Sequence, residues 1–154
     1  MKKRPSEGLY FLFGAALFFL DRITKFLIVK WGVFNYKIAS FLSFRLQFNR
    51  GISWGMLHSD SSIKFFLVSL MTVVVIAALG FYAQEKYMRG FSVIGETIAL
   101  AGAVSNFFDR MLYGGVVDFI SFSWCNWDFP VFNIADACIV SGIGLVILSF
   151  SKES

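Results

Sequence analysis

The chain has 154 residues, of which 57% are hydrophobic, 20 are phenylalanine and only 16% are charged. Soluble domains run about 45–50% apolar and about 25% charged, and a domain this small leaves roughly a third of its unfolded-chain surface in contact with solvent. A water-solvated core could not hide so much apolar surface, so the composition excludes an ordinary soluble domain. It equally excludes a disordered tail, a coiled coil and a disulfide-stapled secreted module. With a mean hydropathy of +0.69, the solvent this sequence asks for is lipid, and the length holds one integral membrane domain, residues 1–154. The net charge of +4 needs no nucleic-acid partner, because basic loops flanking membrane segments account for it.

Four stretches are long enough to cross a hydrocarbon core, which takes about 20 helical residues. The first spans about residues 9–29, with Asp21, Arg22 and Lys25 towards its far end. That charged end and the lack of a small-residue cleavage site argue against a cleavable signal peptide. Residues 31–62 form a long loop, in which 41–48 (FLSFRLQF) alternate in part as a strand does, before a turn at Asn49-Arg50-Gly51. The second span, about 63–83, is uncharged from Phe65 onward, and a short loop at 84–90 carries Lys86 and Arg89. The third, about 91–112, contains Glu96, Asn106, Asp109 and Arg110. A short aromatic loop, 113–129, places Trp124 and Trp127 at the membrane interface. The fourth span, about 130–150, opens on Pro130, a residue suited to a helix entry, and carries Asn133 and Asp136.

The expected fold is therefore an all-α membrane protein: four transmembrane helices, with a small extracytoplasmic β-rich loop region after helix 1. An even number of crossings puts both termini on one side. Lys2, Lys3 and Arg4, with Lys86 and Arg89, assign that side to the cytoplasm, although the 30–64 segment is basic as well.

Polar groups in membrane helices are expensive, so each demands a partner or a job. Here Asp21, Lys25, Asn106, Asp109, Arg110, Asp118, Asn133 and Asp136 all fall at the outer ends of the expected helices or just beyond. Gly102, Asn106, Asp109 and Tyr113 step by four, three and four along one stripe. Asn133 and Asp136 share a face, and Asp21 precedes Lys25 by four, the order an intrahelical ion pair prefers. Two of the carboxylates, Asp118 just after helix 3 and Asp136 in the first turns of helix 4, are the best placed to meet. Two close carboxyls share a proton, leaving one to take a proton from water and the other to donate to a carbonyl oxygen, the arrangement of the aspartic proteases. A helix-cap role for either acid and interhelical hydrogen bonding by Asn106 and Asn133 are the competing structural readings. The other chemistries find no residues. The one histidine, His58, leaves no HExxH site, and Cys125 and Cys138 have no metal-ligand spacing and read as free thiols. No metal and no cofactor are expected, and Glu96 has no assigned role.

Five segments in order complete a resemblance: Asp21-Arg22-Ile23-Thr24-Lys25; Asn49-Arg50-Gly51-Ile52-Ser53-Trp54-Gly55; Gly102 to Arg110 (GAVSNFFDR); Gly115-Val116-Val117-Asp118-Phe119; and Phe129 to Asp136 (FPVFNIAD). Together they resemble the lipoprotein signal peptidases (signal peptidase II), a family of small four-helix intramembrane aspartic proteases. The resemblance implies that Asp118 and Asp136 are the catalytic dyad, that Asn49, Gly51, Gly102, Asn106, Arg110 and Asn133 position the site or substrate, and that Asp21, Lys25 and Asp109 support it. It implies a diacylglyceryl-modified prolipoprotein as substrate, cut before the lipidated Cys, with membrane lipid as the other partner, and a monomer in the bacterial inner membrane. Ser53-Trp54 and Ser105 depart from the family's usual Ala-Phe and Gly. The alternative from another class is a small proton-coupled transporter using Asp118 or Asp136 as a relay, which would place its acids near the bilayer midplane on broken or repeated helices.

Overall fold

The computed structural model describes residues 6–32, 35–50, 62–125 and 127–150. Four helices and four strands follow one another as α1 (Glu7–Trp31), β1 (Tyr36–Ala39), β2 (Leu42–Asn49), α2 (Ser62–Met88), α3 (Ile94–Tyr113), β3 (Val116–Trp124), β4 (Trp127–Asp128) and α4 (Ile134–Phe150). Helix α3 is the hub and packs against α1, α2, α4 and β3.

Its closest approach is to α4, and small side chains make that approach possible. A Cβ at Gly102 would collide with the Ala135 carbonyl oxygen, and one at Gly95 would sit 2.9 Å from the Gly142 carbonyl. Small residues on facing helices let backbones meet where lipid supplies no hydrophobic drive between them.

The distribution of side chains is inverted relative to a soluble domain. Among the described residues, seven of the eight largest fully buried side chains are polar: Lys25, Glu96, Asn133, Asp21, Asp109, Asp118 and Ser105, with Val117 the exception. Meanwhile Phe11 and Phe81 are more than three-quarters exposed. A chain solvated by lipid hides its polar groups and shows its apolar ones. Among the described residues one helix, α2 over Phe65–Met88, is long and apolar enough by itself to cross a membrane, with a mean hydropathy of 2.4. Helices α1 and α3 fall short because they carry the charges that make the buried cluster, and α4 has 17 residues.

The sheet is larger than the sequence suggests. It runs β1-β2-β3-β4, so the expected strand in the long loop is joined by two from the 113–129 segment, read from sequence as interfacial loop. Antiparallel pairing of β2 with β3 runs from Leu42 opposite Phe122 to Asn49 opposite Val116, with a bulge between Phe44 and Gln47. The strand β3 was hidden because Val116, Val117, Asp118 and Phe119 are all buried, and a strand covered on both faces shows no alternation. Gly114, at φ 65°, ends α3 in the left-handed region and turns the chain into that strand.

Helix α4 begins at Ile134, four residues later than Pro130 predicts. Backbone bonds between Phe132 and Ile120 (2.7 and 3.0 Å) hold that segment extended along β3. Helix α2 runs on to Met88, so Lys86 belongs to a helix and is buried, rather than marking a loop.

Candidate active site

The polar residues singled out in the sequence meet where the ends of α1, α3 and β2 approach the starts of β3 and α4. Helix α1 contributes Asp21 and Lys25, both fully buried and 2.7 Å apart across one turn. Lys25 Nζ also lies 2.7 Å from Asp109 Oδ2 and donates to Asn106 Oδ1 at 2.8 Å, so one ammonium binds three acceptors on two helices. Its three hydrogens match three acceptors, which is how a lysine can be buried at all.

Each acid of this brace then holds a second element. Asp21 Oδ1 accepts the backbone N–H of Ala135 in the first turn of α4 (2.8 Å), and Asp109 Oδ2 accepts that of Val117 in β3 (3.1 Å). Both strand and helix that carry the candidate dyad are thereby tied to α1 and α3.

Asn133 joins the two acids. Its side-chain amide donates to Asp118 Oδ1 at 2.7 Å, with Asn106 Oδ1 (3.1 Å) and the Val117 carbonyl (3.2 Å) also in reach. Its side-chain oxygen accepts the backbone N–H of Asp136 at 2.8 Å, while Asp136 Oδ2 accepts the N–H of Asn133 at 3.4 Å. That reciprocal pair is a capping box at the entrance of α4, built from Asn and Asp. The helix-cap reading of Asp136 is thus true of one oxygen; the other, Oδ1, accepts from Asn106 Nδ2 at 2.8 Å. Asp118 Oδ2 accepts from Asn49 Nδ2 at 3.1 Å, bringing the last residue of β2 into the site. Burial, and after it the like charge of Asp136, push the Asp118 carboxyl up to about 7, against the pull of the Asn49 and Asn133 donors and of Lys25.

The remaining sequence candidates divide. Arg110 is buried, donates to the Asn106 carbonyl at 3.5 Å, and lies in the field of Asp136, Asp118 and Asp109. Gly102 touches no carboxylate; it seats α4 against α3 just below them. Gly51, with Ser53 and Trp54, lies outside the described residues. Cys125 and Cys138 are free thiols.

Two members of the network were missed from sequence. Arg22 pairs with Asp109, and Ser105 Oγ donates to Asp21 Oδ2 at 2.6 Å. Arg22 was visible as a charge beside Asp21, but nothing in its spacing points to α3. Glu96 has a partner as well: Lys86, at 2.8 Å.

Carboxylates steadied by neutral amides gather in a chain whose apolar side chains face outward, as those of a membrane protein do. The family model described as signal peptidase (SPase) II matches residues 13–152. Lipoprotein signal peptidases of Staphylococcus aureus strains JH9 and Newman are each 32% identical over all of this chain and 94% of their own length. Two solved structures described as bacterial membrane enzymes superpose with TM-scores of 0.78 and 0.74, at 29% and 28% identity. They cover 99% and 100% of this chain and 93% and 99% of theirs. The chain belongs to the signal peptidase II family. It is a peptidase of lipoprotein processing and a bacterial membrane enzyme.

Proposed function

We propose that the chain is an intramembrane aspartic endopeptidase, with Asp118 and Asp136 as the catalytic dyad. It removes the signal peptide from diacylglyceryl-modified prolipoproteins by cleaving before the lipidated Cys. The observation that carries this reading is Asn133, whose one side chain holds Asp118 and caps the backbone of Asp136. A pair so joined retains one proton at neutral pH, in keeping with an Asp118 carboxyl raised to about 7. The ionised carboxylate takes a proton from water as the water oxygen attacks the scissile carbonyl carbon. The protonated carboxyl gives its proton to the carbonyl oxygen. Collapse of the tetrahedral intermediate breaks the C–N bond, the nitrogen takes up a proton, and the lipidated Cys is left with a free amine.

Asn49, Asn106 and Asn133 hold the acids as neutral donors, which orient a carboxylate without fixing its charge as a lysine would. Gly51, Gly102 and Arg110 complete the positioning set, and Asp21, Lys25 and Asp109 brace it. The four helices are four crossings, both termini are cytoplasmic, and the sheet lies on the outer surface with the dyad beneath it, where water and a bilayer-anchored substrate both arrive. The enzyme acts as a monomer without metal or cofactor.

The test is a gel-shift assay on lipidated and unlipidated prolipoprotein. Asp118→Asn and Asp136→Asn should each remain folded and lose activity by about 10²–10⁴-fold. Retained cleavage in either variant would sink the dyad, and equal cleavage of the unlipidated substrate would remove the lipid requirement.

A further inference from the structure

The dyad has a polar neighbour on its sheet side. A cleft of about 310 Å³ is lined by Arg45, Gln47 and Asn49 of β2, Ser121 of β3, Asp128 of β4 and the Phe129–Val131 segment. Asn49 belongs to both places: it lines the cleft and donates to Asp118. Because β3 lies between β2 and β4, Arg45 and Asp128 stand on opposite flanks of the strand that carries Asp118.

From this we infer that the cleft is a subsite for the first residues of the mature chain, on the carboxyl side of the scissile bond, and that Arg45 and Asp128 select their charge. The inference rests on the endopeptidase reading above. A substrate cut at a bilayer-anchored Cys has an apolar half, the signal peptide and acyl chains, and a polar half that continues into water. Amides, a hydroxyl and two opposite charges are poor lining for the apolar half, since covering them with hydrocarbon removes their hydration without replacing it. They are good lining for an extended peptide, whose own N–H and C=O groups need partners. The apolar half has a counterpart elsewhere in the groove between α1 and α3, lined by Phe11, Gly14, Ala15 and Leu100 among others.

The experiment uses three lipidated prolipoproteins that differ at the second and third mature positions, carrying Ser, Glu or Lys there. For each enzyme the ratio of kcat/KM on Glu and Lys substrates is measured, so the fraction folded cancels. Arg45→Glu should move the ratio towards Lys by about fivefold, and Asp128→Lys towards Glu by a similar factor, the upper end of what exposed charge pairs give. Arg45→Gln and Asp128→Asn should move it about half as far on a logarithmic scale. Both shifts should shrink at high salt. Ratios that stay put, or that move the same way in both reversals, overturn the subsite. A wild-type enzyme that cleaves the Ser substrate while its variants keep the wild-type Glu/Lys ratio overturns the subsite alone; failure on the Ser substrate itself overturns the endopeptidase reading and the subsite with it.

Discussion

Among the described residues ion pairs are buried in two places, one at each end of α3, and the contrast between them separates scaffold from chemistry. At the N-terminal end of α3, Lys86 Nζ lies 2.8 Å from Glu96 Oε1 and 2.7 Å from Ser149 Oγ, drawing α2, α3 and α4 together around one ion pair. At the C-terminal end of α3 four acids, Asp21, Asp109, Asp118 and Asp136, gather around Lys25, Arg22 and Arg110. The basic groups are unevenly shared: Lys25 sits on Asp21 and Asp109, Arg22 on Asp109, and Asp118 is held by amides. Balanced charge makes a clamp. An acid left to neutral donors keeps a proton to trade.

The contrast can be broken by removing the lysine from each end. Lys25→Ala leaves Asp21 without its cation and Asp109 with Arg22 alone, and Lys86→Ala takes the lysine from Glu96; breaking a buried pair costs about 3–5 kcal/mol, and Lys25, which makes two such pairs, is the larger loss. Lys25→Ala should therefore chiefly lower folded yield, measured as monodisperse protein recovered from membranes. Lys86→Ala should lower yield less, and the protein recovered should cleave lipidated substrate at the wild-type rate per folded molecule. A slow but fully folded Lys86→Ala would make the Lys86–Glu96 clamp part of the chemistry. A fully folded, inactive Lys25→Ala would make the Lys25 brace more than a brace.

A second measurement sharpens the same contrast through pH. With Asp118 raised to about 7, activity should fall on a basic limb near that value as the dyad loses its shared proton. Asn49 donates to the charged form of Asp118, so Asn49→Leu should move the limb upward, by about half a unit to one unit. Stability carries the matching sign. The folded protein binds more protons than the unfolded chain between about 4 and about 7, so wild-type Tm should decline as pH rises through that window. Asp118→Asn should flatten the decline. A limb that stays in place in Asn49→Leu would show that this hydrogen bond does not reach the titrating group.

Much of this site was readable before any coordinates, and for a physical reason. Where lipid is the solvent, a polar residue in a helix is costly, so the stripe Asn106–Asp109 and the pair Asn133–Asp136 stand out, and helical periodicity says which face they share. The acids' convergence on Asn133 was less accessible, because Asp118 reaches the site from β3, whose buried apolar run resembles any other. Pro130 misled for a related reason. It fits a helix entry, but Phe132 is committed to Ile120 of β3, and only a known strand there would have delayed the helix to Ile134. Lys86 looked like a topology marker because its partner Glu96 lies across a turn whose position the hydropathy pattern left open by several residues.

The smallest effect belongs to Ser105, which stands where the resembling family usually has glycine. Its hydroxyl donates to Asp21 Oδ2, an oxygen already paired with Lys25, so removing it leaves no buried charge unmet. Ser105→Ala should cost about 1–2 kcal/mol, read as a modest fall in Tm, with kcat/KM within twofold of wild type. Ser105→Gly adds the helix cost of glycine, about 1 kcal/mol relative to alanine, and should melt lower still with the same activity. The serine then acts as reinforcement of the brace through Asp21. A change in the pH limb of either variant would place it instead in the path from Lys25 through Asn106 to Asp136, because a residue that only stiffens the brace has no means of moving a proton affinity four contacts away.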